Sequence, residues 1–316
     1  MKKVVETLLR RFVEMLDYVF LLRPTLWYPV WIFFIAGFWG NQQGNGSSVV
    51  DPVSSFAILA LLTGMMGAVY ILNQLQDVET DRANQKLFII ANGLVSGKQA
   101  IGEAVGLTAL ALAGAFVLDL TQGVLFLVVF VITGILYNFP PSRWKDRPIM
   151  GMLVNGLGCV LIYTIGWMCV RAERGIPMQA WLYGLAGISV SLNTTLPDME
   201  GDSKAGKRTF TVAYGVEATA IAALVMEVLT VGWALYLKEW LLLVPAGLVL
   251  PLFIWAAIQR TKARVMFATK VSILALALAV CVVFPWLLLP IFGVFLLSKY
   301  YYRKRFNLNY PTLKNG

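Results

Sequence analysis

Apolar residues run in long blocks along this chain, and short polar clusters punctuate them. Blocks of membrane-crossing length lie near 18–39, 54–75, 99–118, 121–138, 149–170, 180–196, 214–237 and 239–258, followed by a longer one at 271–298. A helix needs roughly 17–25 apolar residues to cross a bilayer, so each block predicts a transmembrane helix. The last block is long for one span and short for two, and Pro285 and Pro290 interrupt it. The pattern predicts an all-α fold, a polytopic membrane bundle of about nine transmembrane helices closed by an irregular last segment. Residues 1–316 read as one membrane domain. Within it, 1–17 mixes charged and apolar positions as an interfacial helix does, with no cleavable signal peptide expected, and 299–316 forms a basic tail.

Composition agrees and narrows the class. Hydrophobic residues make up 59% and charged residues 14%, against about 25% charged in soluble domains. The net charge of +9 would suit nucleic acid, but the basic residues gather in loops at 76–98, 142–148, 203–208 and 259–270. The alternate loops near 40–53 and 119–122 carry no Lys or Arg. That bias marks cytoplasmic loops of a multi-pass protein in the cell membrane. Membrane lipids are therefore expected as partners and nucleic acid is not; nothing here sets an oligomeric state. Cys159, Cys169 and Cys281 sit in apolar spans without paired spacing, which fits packing rather than a disulfide or zinc site. The chain has no histidine, which excludes His general bases and His-liganded haem or zinc.

Chemistry concentrates in two places. "NQLQDVETDRAN" (73–84) and "DMEGDSKAGKRT" (198–209) each close an apolar run, and each contains Asp-x-Glu-x-Asp. These stretches hold six of the 17 acids. Residues four apart share a helix face, so Asn73, Asp77 and Asp81 are expected to form one polar stripe and Thr194, Asp198 and Asp202 another. Glu79 and Glu200 would point away to solvent. Two carboxylates about 5 Å apart repel by roughly 3 kcal/mol at an effective dielectric of 20, so facing stripes need cations or protons. Oxygen-only ligands on helices suit Mg2+, and the missing His and clustered Cys argue against softer metals. The expected ligands are Asp77, Asp81, Asp198 and Asp202, with Asn73 as a neutral partner. Lys86, Arg143, Lys145, Arg147, Lys204, Lys207 and Arg208 share these loops. Acids for metal with bases around them are what a diphosphate asks for, and the membrane setting suggests a long apolar tail on it. A single acid at a helix end is as readily a solvated cap; two matched motifs on one side of the membrane favour a site.

These residues resemble the UbiA-type membrane prenyltransferase superfamily. "NQLQDVETD" is similar to its Asn-x-x-x-Asp-x-x-x-Asp motif and "DMEGD" to its second Asp-x-x-x-Asp motif. "YNFPPSRWKDRP" is similar to a Tyr-x-x-Pro-Pro stretch, and "GDSKAGKRTFTVAYG" matches the Gly, Asp, Thr and Val spacing that follows. The resemblance implies helices ringed around a central cavity open to the cytoplasm, and two Mg2+ ions bridging the Asp motifs to an allylic prenyl diphosphate. It implies Asn73, Asp77, Asp81, Asp198 and Asp202 as metal ligands, and Lys86, Arg143 and Lys145 as diphosphate contacts. Tyr137 would border the reacting carbon and Arg23 would lie near the acceptor, although snorkelling to the interface accounts for Arg23 equally well. The implied reaction passes through an allylic carbocation to a lipophilic acceptor. An aromatic quinone precursor is expected, with a chlorophyll-type or glycerol-lipid acceptor as the alternative. The chain departs from the pattern at Gln74, where many members carry Asp, at "LFIIANG", which replaces a frequent Arg-Pro, and at Thr195, often an Asp.

Two other readings belong beside it. A CDP-alcohol phosphotransferase would carry Asp-x-x-Asp-Gly-x-x-Ala-Arg in one helix pair, which this chain lacks. An ion-coupled transporter would place its acids near mid-span in broken helices, whereas these close spans beside basic loops.

Overall fold

The structure is a computed structural model describing residues 2–44, 51–84, 89–170 and 175–311. α1 (Lys2–Leu21) ends short of Arg23, whose φ of 52° and the following Pro24 stop the helix, since a residue before proline disfavours the α region. The predicted first span at 18–39 is therefore divided: its first residues finish α1, and α2 (Trp27–Gly44) carries the rest. α3 (Pro52–Gln76) starts on an Asp51 cap with proline behind it and is followed by short α4 (Val78–Ala83). α5 (Gly97–Leu118) opens on a Ser96–Gln99 capping box. α6 (Leu120–Val129) widens into a π-helical stretch, Phe130–Leu136. Then come α7 (Pro148–Trp167), α8 (Met178–Thr194), short α9 (Met199–Lys204), α10 (Phe210–Leu237), α11 (Trp240–Gln259), α12 (Lys262–Val283) and α13 (Leu288–Phe306).

Among the described residues, seven helical segments are long and apolar enough to cross a membrane. The shorter Leu120–Leu136 and α8 bring the bundle to about nine. Neighbours α2, α7, α8, α10, α11 and α12 close into a ring, and α3, α5 and α6 close against α2 and α7. The α2–α7 contact is backbone to backbone. A Cβ on Gly37 would overlap the Tyr163 carbonyl, and one on Gly166 the Phe34 carbonyl, the small-residue approach by which membrane helices pack. Outward positions such as Val117 and Val282, 85% and 81% exposed, are apolar because lipid replaces water there. The three cysteines are free thiols.

The end of the chain differs from its sequence pattern. The basic stretch at 259–270 is mostly helix, because a turn at Arg260, with φ 52°, lets α12 begin at Lys262. Its charges are held at the helix end: Arg264 lies 4.1 Å over the Trp255 ring and Lys262 pairs with Glu200 at 3.0 Å. The 271–298 block breaks at the turn Pro285–Leu287. Part of the predicted tail is α13, pinned to α1 by Tyr301 donating to Asp17 Oδ1 at 2.7 Å and Arg305 to Oδ2 at 2.8 Å.

Candidate active site

Each predicted stripe lines one cavity, but neither lies on a single straight helix. α3 stops at Gln76, and Asp77 takes φ −109°, ψ 12° before α4 begins. α8 stops at Thr194, and a turn leads to Asp198 and α9. Each motif is thus a helix end plus a one-and-a-half-turn helix set off from it. The two short helices meet where a Cβ on Gly201 would overlap the Asn84 amide. That close approach brings the motifs to one mouth.

Asp77 is the hub. It sits between the C-terminus of α3 and the N-terminus of α4 and is 7% exposed. Lys145 Nζ donates to its Oδ2 at 2.7 Å and Lys207 Nζ to its Oδ1 at 2.8 Å. Lys207 also lies 3.7 Å from Asp202 Oδ1, so one ammonium ties the first motif to the second. Burial works against ionising Asp77, yet the two ammonium groups outweigh it and hold the carboxyl below its usual range. Asp81 and Asp202 are buried beside it.

Asn73 is held from behind. Its amide donates to Asn138 Oδ1 at 2.9 Å, and the Asn138 amide donates to the Thr133 and Gly134 carbonyls at 3.1 and 3.0 Å. Those carbonyls lie in the π stretch, where the altered backbone ladder leaves them open to a side chain.

Asn73, Asp77, Asp81, Asp198, Asp202, Lys145, Tyr137 and Arg23 all line one cavity of about 530 Å³, as does Lys207. Away from the charged mouth its walls are mostly apolar, among them Phe33, Met66, Val69 and Ile162, with Glu227 as the exception in charge. Arg23 therefore faces the cavity rather than the lipid interface. Asn155 lies within hydrogen-bonding reach of the Tyr137 hydroxyl. Arg143 is not brought in: it pairs with Asp146 at 3.0 Å and is absent from the cavity wall. Lys86 lies outside the described residues. Glu79 and Glu200 point outward as expected.

Three contributors were not singled out by sequence reasoning. Lys207 was one basic residue among seven; its signal was the Gly206 turn that folds it back. Asn138 carried a signal only as a second polar residue beside Tyr137 at a span end. Glu227 was visible as a carboxylate within an apolar run, "AALVMEVLT". Among the described residues no three Asp, Glu or Cys side chains stand close enough to form a ready-made metal site. The donor set around the mouth is nevertheless all oxygen, the chemistry a hard divalent cation takes, and two ammonium groups already supply positive charge at Asp77.

With that geometry in hand, known proteins are informative. A model of the UbiA prenyltransferase family matches residues 30–266. A homogentisate phytyltransferase of Synechocystis is 31% identical over 193 residues, 54% of this chain and 59% of that protein. A rice chlorophyll synthase is 23% identical over 210 residues, 62% of this chain and 54% of the relative. The chain thus spans little more than half the length of these curated relatives. A UbiA homologue from Archaeoglobus fulgidus, solved with GPP and Mg2+, superposes with a TM-score of 0.61 at 22% identity, over 83% of this chain and 98% of the other. One from Aeropyrum pernix gives 0.65 at 17% identity, over 81% and 95%. The solved structures share the fold, and the family match covers most of the chain together with both acidic motifs: the chain belongs to the UbiA prenyltransferase family.

Proposed function

We propose that this chain is an integral-membrane enzyme that moves a prenyl group from an allylic prenyl diphosphate to a lipophilic aromatic acceptor of the quinone-precursor kind, with Mg2+ as cofactor. One observation carries the reading: four aspartates and two lysines lie at one end of a single cavity whose remaining wall is mostly apolar. A charged head and a hydrocarbon tail on one substrate fit that division. The relatives' names run the same way, as do solved UbiA homologues bound to GPP or DMAPP with Mg2+.

Asp77, Asp81, Asp198, Asp202 and Asn73 would hold the metal, which when bound supplies positive charge to the departing diphosphate. Lys145 and Lys207, released from Asp77, turn to the phosphate oxygens. Arg143 joins them only if its pair with Asp146 opens, and Lys86 remains a candidate contact. The C–O bond breaks with its electron pair leaving on diphosphate, and an allylic cation remains beside Tyr137. The apolar wall keeps water from capturing it. An electron-rich acceptor atom, placed with help from Arg23, attacks the cation and gives up its proton to the released diphosphate. The positive-inside bias of the basic loops supports a mouth on the cytoplasmic face of the cell membrane.

A second reading, transfer to a chlorophyll-type acceptor, is favoured by chlorophyll synthases among the relatives. The test incubates purified protein and Mg2+ with geranylgeranyl or phytyl diphosphate and either homogentisate or a chlorophyllide, followed by mass spectrometry. A prenylated homogentisate supports the first reading and a prenylated chlorophyllide the second. Asp77→Ala and Asp198→Ala should each lower turnover at least about a hundredfold. Full turnover in both variants would remove the metal assignment.

A further inference from the structure

Glu227 has no part in the chemistry above. It sits well inside α10, is 2% exposed, and is the residue α10 contributes to the cavity wall. The cavity wall near this depth is mostly apolar, with Leu242, Pro245 and Ala246 from α11 and Ile273 and Leu276 beside Ser272 from α12. A carboxyl inside a membrane bundle is expensive to keep and marks a site by default.

Its hydrogen bonding is incomplete. Ser189 Oγ lies 3.0 Å from Glu227 Oε2 and 3.0 Å from the Ala223 carbonyl. A serine hydroxyl has one proton, so with Glu227 ionised one donor serves two acceptors. Among the described residues Ser189 is the sole hydrogen-bond partner of the carboxyl, and no basic side chain pairs with it. The place lacks a donor, and it faces the space a ligand fills.

Depth decides which part of a ligand it meets. Ser189 precedes Thr194 by five residues on α8, about 7.5 Å of helix rise, and the acids lie beyond. Glu227 is too deep to touch a diphosphate held at the mouth. A hydrocarbon tail offers it no donor. We infer that Glu227, supported by Ser189, binds the acceptor, and that it selects acceptors carrying a hydroxyl group remote from the atom that is prenylated. This rests on the prenyltransferase reading and adds the chemical class of the acceptor. Glu227 is an acceptor-binding residue, with no role in donor cleavage.

The test uses two probes of equal size, 1-naphthol and 1-methylnaphthalene, bound to the detergent-solubilised full chain and measured by equilibrium dialysis. Wild type, Glu227→Gln and Glu227→Leu are compared. Glu227→Leu should weaken 1-naphthol roughly fivefold to tenfold, the worth of one hydrogen bond, and leave 1-methylnaphthalene unchanged. Glu227→Gln, which keeps a polar group, should stay within about twofold of wild type. Thermal midpoints and Mg2+-dependent binding of geranylgeranyl diphosphate should be the same in all three. Equal binding of 1-naphthol by wild type and Glu227→Leu overturns the inference. So does an equal loss of both probes in Glu227→Leu, or a wild type showing no Glu227-dependent response to the hydroxyl. Failure of wild type to bind prenyl diphosphate is a separate result: it removes the prenyltransferase reading, and the probe comparison still reports on Glu227.

Discussion

Replacing Asp77 by Asn removes the anion on which two ammonium groups rest. Their nitrogens lie 2.7 and 2.8 Å from its oxygens, and the Lys145 and Lys207 side chains are 5% and 11% exposed, so water cannot take over. Removing one partner of a buried pair costs about 3–5 kcal/mol. Lys207 retains Asp202 at 3.7 Å, which puts Asp77→Asn near the lower end, about 3 kcal/mol. Lys145→Met should cost less, about 1.5 kcal/mol, because Asp77 keeps Lys207. In the double variant the carboxylate and one of its two ammonium groups are gone together, leaving Lys207 with Asp202. The two single costs should therefore overshoot the double by about 2 kcal/mol. Equilibrium unfolding of the detergent-solubilised protein at neutral pH, without Mg2+, measures all three. Single costs that add to within about 0.5 kcal/mol would refute the picture of a buried carboxylate neutralised by two lysines.

The same carboxylate sets a pH dependence. Its folded pKa lies below the usual value, so its contribution is complete above about pH 4 and is lost as pH falls through the lower folded value. The stability gap between wild type and Asp77→Asn should hold steady from pH 8 to about pH 5 and narrow below about pH 4; a gap closing between pH 7 and 6 would contradict this. Gly201→Ala puts a methyl into the Asn84 amide, an overpacking of about 1–3 kcal/mol. It should weaken Mg2+-dependent donor binding about tenfold by parting the two short helices, and unchanged affinity would mean their contact does not set the site. Asn138→Ala frees the Asn73 amide and should raise the Mg2+ concentration needed for donor binding by about 10–100-fold with helix content intact. An unshifted Mg2+ titration would show that Asn73 is not oriented from behind.

The spans were legible because bilayer thickness sets their length and lipid sets their composition, and both acidic motifs were legible because carboxylates are rare in such a chain. Which acids face inward was also readable: Glu79 and Glu200 do point out. The geometry joining the motifs was not. Helical periodicity presumes a straight helix, whereas the breaks at Asp77 and before Asp198 go with contacts between segments far apart in the chain, Gly201 on Asn84 and Lys207 on Asp77. Arg143 looked equivalent to Lys145 in sequence, yet a φ of 35° and a partner at Asp146 turn it aside. The 259–270 stretch read as a loop because charge suggests solvent, whereas its long side chains reach Trp255 and Glu200 from a helix end. Glu227 stood out as a carboxylate in an apolar run, but its partner Ser189 and the π stretch that Asn138 closes are announced by no local pattern.

Whether the acids at the cavity mouth hold a prenyl diphosphate through Mg2+ is read most directly from binding of geranylgeranyl diphosphate to the purified, detergent-solubilised protein, first with Mg2+ and then with EDTA. Saturable binding with Mg2+ is expected, abolished by EDTA and restored by added Mg2+. Binding unaffected by EDTA, or none in either condition with farnesyl and longer diphosphates also tried, would contradict it.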